Sequence, residues 1–141
     1  MSTEERNVQL LRDGLEAFSR GDLNESLERM HPDIEWHVVF RLPDLPLPKE
    51  VYRGREEVEA LWTQFRSAWD EMTVRLEEVL YVDDERVVAR ARFRGRGAGS
   101  GIELDQVVFY AFRIWDEKLA YCHAFDDESS ARADLGLGDG A

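Results

Sequence analysis

The stretch YCHAF, residues 121–125, places a tyrosine, the only cysteine and one of three histidines within five positions. An unperturbed imidazole titrates at about pH 6.5, so a histidine in a pocket transfers protons near neutrality without a large shift. Its partner follows from strand pairing. Asp116-Glu117 reads as a two-residue hairpin turn. That turn sets Ile114 opposite Leu119, Phe112 opposite Tyr121, Tyr110 opposite His123 and Val108 opposite Phe125. In this register Tyr110 and His123 are neighbours on an apolar, inward face. The expected chemistry is general acid/base transfer by His123, with Tyr110 orienting the ring or donating a hydrogen bond to an enolate oxygen. The competing reading is a His123 that is hydrogen-bonded within the protein and chemically idle.

Other clusters carry less chemistry. No trio of His, Asp and Glu has metal-ligand spacing, and one cysteine allows neither an internal disulfide nor a cysteine-linked zinc site. GRGAGSG (95–101) is glycine-rich but flanked by strands on both sides. It reads as a hairpin loop, with no helix N-terminus to supply phosphate donors. Neither His31 nor His37 receives a role; His37 points outward on its strand. Cys122 reads as a small apolar filler.

These residues need a scaffold. Residues 3–20 read as a helix, with Val8, Leu11, Leu15 and Phe18 on one stripe and Gly21 as its stop. Thr3 is a weak cap for it, Asp22 caps a second short helix, and Pro32 ends that one. DIEWHVVF (33–40) alternates as a strand, Ile34, Trp36 and Val38 on one face and Glu35 and His37 on the other. RLPDLPLPKE (41–50) holds three of the four prolines and reads as a stiff apolar loop on the rim of a pocket. Residues 55–69 form the clearest helix, striped by Val58, Leu61, Trp62, Phe65 and Trp69. From residue 72 the period becomes two, giving strands over 72–82, 86–96, 101–115 and 118–126, then a short helix from Glu128 and a frayed 136–141 tail. A turn at Ala98-Gly99 sets Arg94 opposite Glu103, Arg92 opposite Asp105, Phe93 opposite Leu104, Ala91 opposite Gln106 and Val87 opposite Tyr110. Charges then collect on one sheet face and apolar residues on the other. Simple alternation would turn Glu78 inward; a bulge near Val79 would turn it out.

The chain has 141 residues, 43% hydrophobic and 11% aromatic, which is one domain with one core. Its net charge of −12 opposes nucleic acid and anionic membrane surfaces. No run of 18 apolar residues is present to span a membrane. The charged N-terminus and lone cysteine make a reducing cytoplasm the expected compartment.

LEAFSRGDLNESLERMHPDIEW, VYRGREEVEALW, RVVARARFRGRGAGSGIELDQ and WDEKLAY together resemble the SnoaL-like group of the nuclear transport factor 2-like superfamily, which also includes ketosteroid isomerase. The resemblance runs from about residue 5 to 135. It implies an α+β fold: a cone-shaped, strongly curved mixed β-sheet wrapped around the helices, open at one end, dimerising through the outer sheet face. Of ketosteroid isomerase's site, the resemblance places the general base at Val38, the first-helix tyrosine at Gly14 and the oxyanion aspartic acid at Tyr110. That chemistry is therefore not expected here. In SnoaL-type polyketide cyclases the acid/base aspartate falls at the position of His123. The expectation is a pocket for a small hydrophobic cyclic or polyketide-like molecule, lined by Trp36, Val38, Trp62, Phe65, Ala91, Gln106, Phe112 and Tyr121. His123 and Tyr110 would perform cyclisation, isomerisation or dehydration without a cofactor. The alternative is a non-catalytic ligand-binding or dimeric accessory module.

Overall fold

A computed structural model describes residues 2–37 and 50–138. In chain order the elements are α1 (Thr3–Arg20), α2 (Leu23–Glu28), β1 (Met30–His37), β2 (Val51–Arg53), α3 (Gly54–Ser67), β3 (Trp69–Val82), β4 (Arg86–Gly97), β5 (Glu103–Trp115), β6 (Lys118–Phe125) and α4 (Glu128–Asp134). One six-stranded sheet has the order β2-β1-β6-β5-β4-β3. Its β1–β6 pair is parallel and every other pair antiparallel. The architecture is the expected α+β mixed sheet, with α1, α2 and α3 on its concave face.

Local chemistry sets the boundaries. Ser2, not Thr3, caps α1, in a capping box with Glu5. Gly21 ends α1 in the left-handed conformation at φ 85°, which spares a Cβ clash. Asp22 accepts from the Glu25 N–H to start α2. That helix ends at Glu28, and β1 runs through Pro32, earlier than the expected end of helix and start of strand. Trp69 opens β3 rather than closing α3. The β3–β4 turn is pinned by Asp83, which accepts from the Glu85 and Arg86 backbone N–H groups, the Tyr81 hydroxyl and the Arg86 guanidinium. Burial alone would raise the Asp83 pKa, but these bonds bring it down to about 2.

The concave face holds the main core: Val87, Ala89, Ala91 and Phe93 of β4 and Val108, Tyr110, Phe112 and Ile114 of β5, under Leu11 and Phe18 of α1 and Val58, Leu61 and Trp62 of α3. A smaller core forms on the convex face, where α4 lays Ala131 and the following Leu135 over Val88 and Ala111.

Two registers differ from expectation. Between β4 and β5 the pairs are Arg94↔Asp105, Phe93↔Gln106, Ala91↔Val108, Arg92↔Val107 and Val87↔Phe112. The hairpin loop centres on Gly99 and Ser100, one step beyond the expected turn, so every pair shifts by two residues. A shift of two keeps each side chain on its face. The arginines stay outward, Arg92 to Asp105 at 2.7 Å and Arg90 to Glu78 at 2.9 Å. Glu78 points outward because the β3–β4 register steps between Leu76 and Glu78.

The second difference changes faces. Asp116 and Glu117 turn with φ of 52° and 61°, the two-residue hairpin expected, and Ile114 does pair with Leu119. The register then steps, with Arg113 opposite Tyr121, so Ala120 is an extra residue on β6. Beyond it Phe112 faces Cys122, Tyr110 faces Ala124 and Ala111 faces His123. Cys122 and Ala124 therefore point into the core, and Tyr121, His123 and Phe125 point out. Small residues on β6 sit opposite the large Tyr110 and Phe112, and Cys122 also pairs with Trp36 on β1. The bulge buries a thiol and a methyl group in place of a phenol and an imidazole, which would need partners in the core.

Candidate functional site

The concave face encloses a small hollow between α1, α2, α3 and the sheet, with a volume of about 40 Å³. Its walls include Leu11 and Phe18 from α1, Trp36 from β1, Trp62 from α3, and Tyr110 and Phe112 from β5. The rings lock one another: Trp36 meets Trp62 edge-on at 5.1 Å, Phe18 lies 4.5 Å from Trp62, and Tyr110 stacks on Phe112 at 5.1 Å. Polar character comes from the Tyr110 hydroxyl, Ser26 and Arg29. Ser26 donates to the Gly14 carbonyl at 2.9 Å, and Arg29 is held by Glu25 at 3.3 Å. The Tyr110 hydroxyl has no hydrogen-bond partner among the described residues. Burial pushes its pKa well up, so it stays a neutral donor. The hollow's described lining carries no carboxylate and no imidazole.

Four of the expected residues thus meet at the hollow: Trp36, Trp62, Tyr110 and Phe112. Val38 and the 41–49 part of the proline-rich loop lie outside the described residues. Phe65 packs instead against Trp69 and Phe93, each at 5.9 Å. Ala91 is buried in the sheet core away from the hollow. Gln106 is exposed although its Cα partner Phe93 is buried, because an amide keeps its hydration more cheaply than it enters an apolar cluster. Tyr121 and His123 are on the opposite face, so the expected side-by-side pair of Tyr110 and His123 does not form. Sequence reasoning missed Arg29 and Ser26. Leu15, also in the lining, is on the α1 stripe that helical periodicity gave, and Leu10 lies beside that stripe.

His123 instead joins a polar row across the convex face. Parallel pairing sets His37 beside His123, and the two rings stack at 4.5 Å with planes 22° apart. Tyr121 donates to Asp134 of α4 at 2.6 Å and lies 3.3 Å from His123 Nδ1, which is 3.5 Å from Asp134 Oδ1. With the phenol proton committed to Asp134, the network assigns a proton to His123 Nδ1 and leaves Nε2 as an acceptor. On the other side, His37 Nε2 is 3.5 Å from Glu35, which accepts from Arg53 at 2.9 Å. That Nε2 is buried without a hydrogen bond among the described residues. Burial lowers the His123 pKa and His37 lowers it further, against the opposing pull of Asp134. Burial first, then the bond to Asp134, raises the Tyr121 pKa. Glu35, His37 and Asp134 were not marked by spacing, since they meet only across β1, β6 and α4. Among the described residues no group of three His, Cys, Asp or Glu is placed to hold a metal. No helix there is long and apolar enough to cross a membrane.

Comparison with known proteins places this geometry in a family. Residues 11–122 match the SnoaL-like domain. The uncharacterised protein Rv0034 of Mycobacterium tuberculosis is 34% identical over 107 residues, covering 75% of this chain and 79% of that protein. An NTF2-like protein of unknown function from Burkholderia pseudomallei superposes with a TM-score of 0.75 at 22% identity, covering 94% of this chain and 97% of the other. TerC, crystallised with polyporic acid, superposes with a TM-score of 0.74 at 18% identity, covering 92% and 97%. At these identities the structural likeness establishes the nuclear transport factor 2-like fold.

Proposed function

This chain belongs to the SnoaL-like domain family, and from that premise we propose that it binds a small, flat, apolar organic molecule in the hollow, oriented by one hydrogen bond from Tyr110. The observation that supports this most is a buried Tyr110 with no hydrogen-bond partner among the described residues, lining a space walled by aromatic rings. A hydroxyl left unpaired in an apolar site costs free energy, and an acceptor oxygen on a ligand removes that cost. The co-crystallisation of TerC with polyporic acid supports the reading that this fold takes a small organic molecule.

The hollow is smaller than the roughly 150 Å³ that takes a benzene ring. Binding a ring therefore requires side chains to move. Leu10 and Leu15 are only half-buried, and a Cβ added at Gly14 would meet nothing nearer than Arg29 Cδ at 3.9 Å, so the α1 wall has slack. Calorimetric titration with 1-tetralone and coumarin, an aromatic ketone and a lactone, tests the reading. The expected result is binding that weakens by roughly ten-fold in Tyr110→Phe, the worth of one buried hydrogen bond. Failure of both compounds to bind contradicts it.

One observation favours a second reading, proton transfer by His123 on the convex face: its Nδ1 is oriented by Tyr121 and Asp134 and its Nε2 is left as an acceptor. Turnover of an added ketone or lactone would then survive Tyr110→Phe and vanish in His123→Gln. A homodimer through the outer sheet face belongs to the proposal as well, supported by Val107, which stands 40% exposed on that face. Sedimentation at micromolar concentration tests it, and a monomer there refutes it.

A further inference from the structure

A second space lies directly behind the hollow. It is an open groove of about 630 Å³ between α1 and the edge strand β3. Arg12, Glu16, Ser19 and Arg20 line it from the helix, and Thr73 and Arg75 from the strand. Leu15 and Val74 line both the groove and the hollow, so these two side chains are the partition between them. Val74 is fixed, since its backbone N–H and carbonyl are both bonded to the Ser19 hydroxyl. Leu15 packs against the core but is only half-buried, and a leucine has alternative staggered rotamers to move into.

The groove's charge runs against that of the protein. Three arginines and one glutamate line it, in a chain of net charge −12. Arg20 is already engaged, by Glu16 at 3.2 Å and by Glu25. Arg12 and Arg75 have no ion-pair or hydrogen-bond partner among the described residues, although acidic residues outnumber basic ones 30 to 18. Two arginines without partners among the described residues, one from each wall of the groove, suit a carboxylate, which each can grip through two parallel N–H bonds.

We propose that the ligand of the hollow is an amphiphilic carboxylate, its ring body seated against Trp36, Trp62 and Tyr110 and its anionic end in the α1–β3 groove on Arg12 and Arg75, with Leu15 moving aside to join the two spaces. The inference rests on the ligand-binding reading above and names its substrate class.

The test compares biphenyl-4-carboxylate with the uncharged biphenyl-4-carboxamide by calorimetry, on the wild type, on Arg12→Gln/Arg75→Gln and on Arg20→Gln. Both target arginines are exposed, so the double variant keeps its fold, which an unchanged melting temperature verifies. The expected result is a wild-type preference for the acid of roughly ten-fold. That preference falls as salt is raised, disappears in the double variant and persists in Arg20→Gln, while carboxamide affinity stays constant throughout. Equal wild-type affinities for acid and amide, or a preference that survives in the double variant, overturns the inference and leaves the hollow's role standing. If neither compound binds, both this inference and the reading beneath it fail.

Discussion

His37 and His123 stack face to face, 4.5 Å between ring centroids, on two parallel strands whose register makes them direct neighbours. Each ring has a carboxylate at 3.5 Å, Glu35 for His37 and Asp134 for His123. The stack penalises a charge on His123 and Asp134 favours one. Single substitutions therefore move the His123 pKa in opposite directions: His37→Gln raises it, and Asp134→Asn lowers it. Imidazole resonances followed by NMR across pH check both. Shifts of the same sign would show that the two neighbours do not act on His123 as the geometry requires.

The same depression has a consequence for stability. The folded-state pKa of His123 lies below the ordinary value of about 6.5, so the unfolded chain binds the proton more readily. This contribution is fully present above about pH 6.5 and is lost as pH falls through the lowered folded-state value. The melting temperature should decline on acidification from pH 7 toward pH 5, and His123→Gln should flatten that decline. An unchanged pH profile in His123→Gln would contradict it.

The bulge at Ala120 decides which face of β6 carries the imidazole: were Ala120 paired with Arg113, Tyr121 and His123 would point into the core. Deleting Ala120 removes the extra residue and leaves the pairs beyond it as they are, with Cys122 and Ala124 in the core and Tyr121 and His123 outside. The deletion variant should therefore keep cooperative thermal unfolding and its near-ultraviolet circular dichroism. Loss of cooperative unfolding would show that this register does not set the faces of β6.

That extra residue also explains why the architecture was legible in the sequence and the site was not. Every element but the short β2, the inward Trp62 stripe, the outward arginines and the polar turn at Asp116-Glu117 are written in local periodicity and turn chemistry. The β4–β5 register slipped by two residues without harm, because side-chain direction repeats every second residue. A bulge adds one residue, and one residue exchanges the faces. Nothing local to LAYCHAF announces it, since both faces of that strand read as partly apolar. The reason for it lies far off in sequence: Trp36 and Tyr110 fill the space opposite Cys122 and Ala124, and Asp134 and Glu35 wait on the other side for the imidazoles.

Gly14 sits inside α1, where a glycine costs about 0.5–1 kcal/mol relative to alanine. A methyl group there makes only an ordinary contact, 3.9 Å from Arg29 Cδ. Gly14→Ala should therefore stabilise the protein by about that amount in urea unfolding. A destabilisation would show that the α1 wall lacks the slack assigned to it.

The central claim is that a ligand occupies the concave hollow. Isotope-filtered NMR on the complex with 1-tetralone reads this directly, through contacts between ligand protons and protein side chains. The account predicts contacts to Trp62, Phe112 and Tyr110 and none to Phe125 or Tyr121. Contacts confined to Tyr121, His123 and Phe125, or no contacts at saturating ligand, would contradict it.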